Sequence, residues 1–193
     1  VMLNGQALDL TGKGSDGRSR RMNGIGHVPE DRQREGLIMD FSAWENTAFG
    51  YHRSDSFQSG LLMNNTAIRE DTAGKMERFD VRPPNPSLAA KSFSGGNQQK
   101  IVLAREIERN PALLLVGQPT RGVDIGAIEF IHQQIVALRD QGKAILLVSV
   151  ELEEILALSD RVAVMFDGVI MGERAADQTD EKELGLLMAG VTA

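Results

Sequence analysis

The chain has 193 residues, 41% of them hydrophobic, and a formal net charge of −6. Its length suits one domain with an inserted subdomain, and its composition is ample for a packed globular core. The negative charge and the 5% content of aromatic residues argue against a nucleic-acid-binding surface. No apolar run approaches the ~20 residues that cross a bilayer. Because the chain has no Cys and its three His lie far apart, we expect no metal site built from its own side chains.

Residues 1–40 are predicted to form the end of a β-meander. "VMLNG" alternates before an Asn-Gly turn, and "GIGHVP" is a short strand that Pro29 ends. Between them, "GKGSDG" matches a dinucleotide-binding pattern by letter, but it follows no buried strand and opens no apolar helix, so a turn is favoured. The basic cluster at residues 18–21 is predicted to be a solvated loop rather than a phosphate site.

Residues 41–91 are predicted to form a separate helical subdomain. Ser42 and Glu45 have the spacing of a capping box that opens a helix. A second helix is predicted from about Asn65 to Phe79. The prolines of "VRPPNPS" then end the helical segment because proline cannot continue a helix.

From Phe93 onward the sequence alternates between helix and strand. "ALLLV" and "KAILLVS" are continuous apolar runs, which predict parallel strands covered on both faces. Between them, one helical face carries Ile128, Ile131, Ile135 and Leu138, which completes a βαβ unit. A hairpin is predicted at Asp167-Gly168. The predicted fold class is α/β, with a core formed by residues 1–40 and 92–193.

The segment "FSGGNQQK" is the strongest candidate for binding chemistry. It places the Ser94 hydroxyl and two glycines at the start of an apolar-faced helix, where unpaired N–H groups can bind an anion. A simple glycine-containing helix start is the alternative for these eight residues alone. The apolar strand, the "QPTRGVD" segment, the helix and the second strand that follow favour phosphate binding.

With these motifs in this order, the chain resembles an ABC transporter ATP-binding subunit. "FSGGNQ" resembles the family's signature, "LLLVGQPT" its Walker B strand, "RGVD" its D-loop and "LLVSVELEEILALSDRVAVMFDG" its switch region. "GIGHVPEDRQREGL" is similar to the Q-loop of the second nucleotide-binding domain in fused importers of ribose, other simple sugars and nucleosides. "GQPTRGVDIGAIEFIH" looks closest to the nucleoside-type members. The resemblance implies a P-loop NTPase-like ABC ATPase fold with a mostly parallel sheet, from which the N-terminal P-loop part is expected to be missing.

Four positions depart from the family pattern. The resemblance implies an Asp, a Glu and a His where this chain has Gly117, Gln118 and Val150, and a different residue at the Q-loop position, Glu30. Glycine offers no metal ligand, a glutamine amide is not a base, and valine forms no side-chain hydrogen bond. We therefore expect no cleavage of ATP at this half's own site, and no activity from the chain alone.

The signature segment, residues 94–98, keeps its central residues. In the family, two domains dimerise head to tail, so each signature faces ATP and Mg²⁺ held by the other domain. The resemblance implies that the signature contacts to ATP in the partner come from Ser94, Gly95, Gly96, Asn97 and Gln98. It also implies that Asp124, in the D-loop, helps communication between the two sites.

The resemblance implies partners and a location as well. The expected partners are the other nucleotide-binding domain and the transmembrane permease subunits, with ATP hydrolysis coupled to import at the cytoplasmic face of the cell membrane. Trp44 either faces the membrane subunit or packs the core of the helical subdomain, and the sequence leaves both open. A sheet without its P-loop strand would expose an edge, so we also expect self-association.

Two other function classes share parts of this pattern. A non-transport ABC ATPase would have the same signature, but its insert usually gains charged or coiled-coil extensions that this sequence lacks. A regulatory, non-hydrolysing ABC domain would fit the departures at Gly117 and Gln118. It would leave the intact Ser-Gly-Gly run without a purpose.

Overall fold

Helices and strands alternate along most of the chain. The computed structural model describes residues 2–3, 5–7, 16–60 and 62–191. The strands are β1 (Met2–Leu3), β2 (Gln6–Ala7), β3 (Ile25–Val28), β4 (Gln58–Ser59), β5 (Leu62–Met63), β6 (Leu113–Gly117), β7 (Ala144–Val148), β8 (Arg161–Phe166) and β9 (Val169–Ala175). The α-helices are α1 (Gly17–Met22), α2 (Ala43–Ala48), α3 (Asn65–Arg78), α4 (Gly95–Ile107), α5 (Ile125–Asp140), α6 (Leu152–Leu158) and α7 (Glu181–Met188). The chain divides into two compact units, residues 1–146 and 147–193.

A three-stranded sheet in the order β3-β6-β7 organises the chain around the site. β3 pairs parallel with β6, with Ile25 opposite Leu113 and Val28 opposite Val116. The predicted meander is therefore wrong for β3, which joins a strand far along the chain, whereas β1 and β2 do form an antiparallel hairpin among the described residues of that region. The reason is burial, because Val28 becomes fully buried beside β6, and helix α4 packs against β3.

The predicted βαβ unit is confirmed, with one difference. α5 buries Ile131, Ile135 and Leu138, as its periodicity predicts. The prediction that both faces of the second strand are covered is wrong, since Leu146 is 56% exposed. Along β7, exposed and half-buried residues alternate, so one face of this strand is open in the described chain. A continuous apolar run does not by itself say how many faces neighbouring elements cover.

The two helices predicted between residues 41 and 91 are present. The capping box of α2 forms, because the Glu45 carboxylate accepts a 2.8 Å hydrogen bond from the Ser42 N–H and the Ser42 hydroxyl accepts from the Glu45 N–H. α2 and α3 pack on each other and on α4. The division of the chain into a core and a separate lobe at 41–91 stays a prediction.

The basic cluster at residues 18–21 is a helix, α1, so the loop prediction is wrong. The Asp16 carboxylate caps the helix by accepting a 2.7 Å hydrogen bond from the Ser19 N–H. Arg20 and Arg21 lie in the last turn, where positive charge is favoured by the helix dipole. The Asp16 cap therefore favours a helix start here, although the run of basic residues alone predicted a loop.

Within the second unit, β8 and β9 form the hairpin predicted at Asp167-Gly168. Both turn residues have positive φ, +47° and +77°, as a type I′ turn requires. α7 packs on both strands of this hairpin. The small core of this unit consists of Val162, Val164, Leu184 and Leu187.

A buried ion pair within α4 is the centre of a hydrogen-bond network that joins this helix to its neighbours in the first unit. Arg105 donates from Nε to the Glu106 carboxylate at 2.7 Å, and their side chains are 4% and 0% exposed. Glu106 also accepts hydrogen bonds from the Tyr51 hydroxyl at 2.8 Å and the His27 N–H at 3.3 Å. Burial and the neighbouring Glu106 charge raise the pKa of Tyr51, which keeps its hydroxyl protonated as a donor. This network ties β3, α2's following turn and α4 together.

Candidate functional site

Ser94 is the N-cap of α4 and lies at the surface. Its hydroxyl oxygen accepts hydrogen bonds from the Asn97 N–H at 3.4 Å and the Asn97 side-chain amide at 2.9 Å. Its extended backbone (φ −62°, ψ 161°) turns the chain into a helix of 13 residues. Ser94 is exposed and Gly95 is half-buried. The first amides of α4 are therefore at a surface where a helix start favours an anion.

The two glycines pack closely against the D-loop, residues 121–124, of the same chain. A Cβ at Gly95 would lie 2.8 Å from the Gly122 carbonyl oxygen and 2.6 Å from Nη2 of Arg32. A Cβ at Gly96 would lie 2.8 Å from an oxygen of Asp124. The sequence predicted that these glycines open a helix whose unpaired N–H groups bind an anion. The structure adds a reason within the chain, because any larger residue would collide with the D-loop or with Arg32.

Asn97 and Gln98 are directed into their own chain. The Asn97 side-chain oxygen accepts a 2.7 Å hydrogen bond from the Arg82 N–H. Gln98 is 3% exposed, and its amide donates to two backbone carbonyls at 3.2 and 3.0 Å. Of the five predicted contacts to ATP, the Gln98 side chain is thus turned inward. Ser94 and the glycine backbone are the groups placed at the open start of the helix.

Asp124, in the D-loop, is the N-cap residue of α5. Its carboxylate caps α5 by accepting a 3.0 Å hydrogen bond from the Ala127 N–H. The same carboxylate lies over Gly96. The structure therefore places the D-loop against the signature segment. A role for Asp124 in communication between two sites stays a prediction.

The positions at the end of β6 that are predicted to be degenerate lie beside Glu30, the predicted Q-loop position. The parallel register of β3 and β6 brings Glu30 and Gly117 to the same edge of the sheet, where a Cβ at Gly117 would lie 3.1 Å from the Glu30 nitrogen. Gln118 has a positive φ of +44°, a conformation that L-residues rarely adopt. The Glu30 carboxylate accepts a 2.6 Å hydrogen bond from Nη1 of Arg121. The third degenerate residue, Val150, belongs to the second unit and is 61% exposed.

Arg32 is a residue at this site that sequence reasoning missed. It lies in a π-helical turn, Arg32–Gly36, and donates to the carbonyl oxygens of Arg121 and Gly122 at 2.7 and 3.1 Å. Burial lowers the pKa of its guanidinium. Arg32 lines a polar cleft of about 240 Å³ whose other residues are Glu30, Asp31, Gln33, Arg121 and Gly122. The string "EDRQRE" carries no pattern that separates this arginine from its neighbour Arg34.

Trp44 packs inside the helical segment, which is one of the two roles the sequence left open. It lies against a buried cluster of Ala48, Phe57 and Ile68, and the Arg69 guanidinium sits 4.9 Å from its ring centre. Exposed aromatic surface nearby comes instead from Phe41 and Phe49, which are 42% and 48% exposed.

The described residues lack both a cluster of metal ligands and a helix that could span a membrane. Residues 16–60 and 62–191, with the short described segments before them, contain no group of three or more His, Asp or Glu side chains able to hold a metal ion. In the same part of the chain, every helix is too short or too polar to span a bilayer.

Curated proteins similar to this chain are ATP-binding proteins of importers. The chain is 50% identical over 86% of its length to the nucleoside import ATP-binding protein NupA of Lactococcus lactis and 46% identical over 88% to the guanosine import protein NupO of Bacillus subtilis. It is 36% identical over 98% of its length to the ribose import protein RbsA of Bacillus cereus. These matches cover 33%, 33% and 37% of the three relatives, so the chain spans about a third of their length.

Solved structures and family models give a complementary result. The chain superposes on a dimeric bacterial ABC transporter cassette with a TM-score of 0.65 and 22% identity, covering 81% of this chain and 65% of that one. A structure of the same cassette bound to ADP and phosphate gives a TM-score of 0.63 at 23% identity, over 81% and 64% of the two chains. This likeness shows a shared fold. No protein-family model matches the chain.

Proposed function

The chain is a homologue of the ATP-binding proteins of ABC importers for nucleosides and sugars and has the fold of an ABC ATPase cassette, and from this premise we propose a division of labour. In this proposal the chain supplies its signature segment to ATP held by a partner nucleotide-binding domain. Its own site, where Gly117 and Gln118 stand at the end of β6, does not hydrolyse ATP. The complex couples hydrolysis in the partner to import.

The observation that carries this proposal is the contrast between the start of α4 and the end of β6. At the start of α4, Ser94 and the amide of Gly95 lie at the surface, where they can donate to a phosphate. At the end of β6, Gly117 and Gln118 supply no carboxylate. The donors at the start of α4 suit a phosphate held by another molecule. The end of β6, in contrast, lacks both a general base and a metal ligand at positions 117 and 118.

ATP and Mg²⁺ fit this chain to different extents. The exposed helix start suits the terminal phosphate of ATP, because its free N–H groups and the helix dipole favour negative charge. Mg²⁺ prefers carboxylate and water oxygens, and neither Gly117 nor Gln118 offers one. We therefore assign Mg²⁺ and most contacts to ATP to the partner domain.

The transported substrate in this proposal is a nucleoside. The identities of 50% and 46% to the two nucleoside-type relatives, over 86% and 88% of the chain, support it, since a ribose-type relative reaches 44% over 77% of the chain. We assign the exposed rings of Phe41 and Phe49 to the contact with the membrane subunit, since aromatic residues are enriched in the cores of protein interfaces. This contact would hold the chain at the inner face of the membrane.

Restoring acids at the degenerate positions is expected to change little. A Cβ at position 117 would lie 3.1 Å from the Glu30 nitrogen, and an added carboxylate there would enter a site that already has the Glu30 charge. Gln118→Glu alone and Gly117→Asp with Gln118→Glu should each leave ATP turnover of the assembled transporter within about twofold of the parent, because residues of a catalytic site act as a unit. A large gain from Gln118→Glu would show that this half, and not the partner, carries the working site.

A pair of substitutions at Ser94 tests the proposed function directly. Asp and Asn cap a helix about as well as Ser, so Ser94→Asp and Ser94→Asn both keep the start of α4. They differ by one negative charge at the surface where the phosphate is expected. Ser94→Asp should lower ATP hydrolysis and nucleoside uptake about a hundredfold, a loss typical of a disrupted charge-stabilising site. Ser94→Asn should lower them no more than about tenfold, because its amide keeps a neutral donor in a different position from the hydroxyl.

The measurement is steady-state ATP hydrolysis and uptake of labelled nucleoside by the transporter in vesicles. Labelled ribose is the substrate control. Equal activity of Ser94→Asp and Ser94→Asn would contradict the proposal and favour a regulatory, non-hydrolysing domain. ATP hydrolysis that depends on Ser94 without any associated transport would favour a non-transport ABC ATPase.

A further inference from the structure

Arg32 makes an unusual pair of contacts with the D-loop. Its two terminal nitrogens donate to the carbonyl oxygens of consecutive residues, Arg121 at 2.7 Å and Gly122 at 3.1 Å. Both hydrogen bonds thus go to backbone carbonyls rather than to a carboxylate. Gly122 has a φ of +65°, a conformation suited to glycine, in the segment that presents these carbonyls. The planar guanidinium fork holds this segment at two points, which a lysine ammonium cannot reproduce.

The same guanidinium also touches the start of α4. A Cβ at Gly95 would lie 2.6 Å from Nη2 of Arg32, so this nitrogen occupies the space that a side chain at position 95 would need. The nitrogen Nε of Arg32 is buried and has no hydrogen-bond partner among the described residues. An arginine held with an unpaired buried donor adds little stability, because desolvation offsets its hydrogen bonds. The position of Arg32 is better explained by its placement of the D-loop relative to the start of α4.

Side chains close to Arg32 in sequence contact the same two elements. Gln33 donates from its side-chain amide to the Gln98 side-chain oxygen of α4 at 3.0 Å. Glu30 accepts from the Arg121 side chain at 2.6 Å. Residues 30–33 therefore contact the D-loop on one side and the signature helix on the other. The Glu30 contact is an exposed ion pair of low expected strength, whereas Arg32 is partly buried.

We propose that Arg32 is a positioning residue that holds the D-loop, residues 121–124, and the start of α4 in a fixed relative position. Both segments can then contact the partner domain at the same time. The proposal rests on the proposed function, because its effect on hydrolysis acts through Ser94 and Gly95. When a partner displaces the D-loop, the guanidinium moves with it in the space beside Gly95. Arg32 itself touches no ATP in this scheme.

Hydrogen exchange on the 193-residue chain tests the geometry without reference to transport. Arg32→Lys keeps the charge but removes the two-point contact, and Arg32→Gln is a second variant with a single amide donor group. In both, amide exchange in residues 94–97 and 120–124 should rise about tenfold together, as expected when a charge-assisted hydrogen bond is lost. Arg34→Lys is the matched control, since Arg34 lies in the same turn with an exposed side chain, and it should leave both segments unchanged. Circular dichroism and Trp44 fluorescence check that each variant is folded.

Kinetics of the assembled transporter then separate positioning from general damage. Arg32→Lys should lower kcat for ATP hydrolysis about tenfold while the Kd of the partner domain for ATP stays within about twofold. The reason is that the relative position of the D-loop and the start of α4 matters only when the two domains are closed on ATP. Unchanged exchange in either segment, or a normal kcat despite raised exchange, would overturn the proposal. If Ser94→Asp is inactive while Arg32→Lys is normal, this inference alone fails. If Ser94→Asp is fully active, the proposed function fails, and the kinetic role of Arg32 fails with it.

Discussion

Gly95→Asp is expected to abolish ATP hydrolysis and uptake by the assembled transporter. In the proposed arrangement the new carboxylate adds negative charge near the terminal phosphate of ATP in the partner, where like charges repel and oppose closure, and Arg32 offsets only part of that charge. The substitution also places a side chain 2.8 Å from the Gly122 carbonyl oxygen and 2.6 Å from Arg32, so the start of α4 must move. Together these effects should lower turnover by about a hundredfold or more, the scale observed when a charge-stabilising donor is removed from an enzyme site.

Gly95→Ala is the control that separates charge from size. It introduces the same Cβ, and therefore the same conflict with Gly122 and Arg32, without a negative charge. We expect Gly95→Ala to lose activity through displacement of α4 and yet to exceed Gly95→Asp by about tenfold, the contribution assigned to charge repulsion. Steady-state hydrolysis in vesicles measures both. Normal turnover in Gly95→Asp would mean that the working and silent halves are assigned the wrong way round.

Glu106→Ala is expected to cause the largest loss of stability among single substitutions in the first unit. It removes the carboxylate partner of Arg105 and the acceptor for the Tyr51 hydroxyl and the His27 N–H. Breaking a buried ion pair from one side leaves a charge without compensation, which costs about 3–5 kcal/mol. Urea unfolding followed by fluorescence of Trp44, the single Trp of the chain, reports on the unit that contains this network.

Glu108→Ala is the matched control, because Glu108 also forms an ion pair but does so near the surface. Its partner Arg78 is 53% exposed, and pairs of this kind contribute about 0–1 kcal/mol. The two substitutions lie two positions apart at the end of the same helix. A loss below about 1 kcal/mol in Glu106→Ala would show that Arg105 finds another partner or water after the carboxylate is removed.

The sequence by itself was sufficient for the elements whose signals are local. Ser42 and Glu45 predict the start of α2, the repeat of Ile131, Ile135 and Leu138 predicts the buried face of α5, and Asp167-Gly168 predicts the β8-β9 hairpin. Each of these depends on residues a few positions apart, whose interactions are the same in any fold. The ordered motifs around Ser94 and Asp124 were likewise enough to identify the family and the fold.

The tertiary structure decided which distant segments meet. β3 looked like part of a meander and instead pairs with β6, because pairing partners are selected by burial of both strands and not by proximity along the chain. The close approach of Arg32 to Gly95 and Gly122 has no sequence signature, since it depends on atoms from three segments far apart in sequence. The glycines of the signature show both levels at once. The motif alone indicated that glycines open this helix. The steric conflict that excludes a Cβ at each of them arises only when the D-loop is folded against α4.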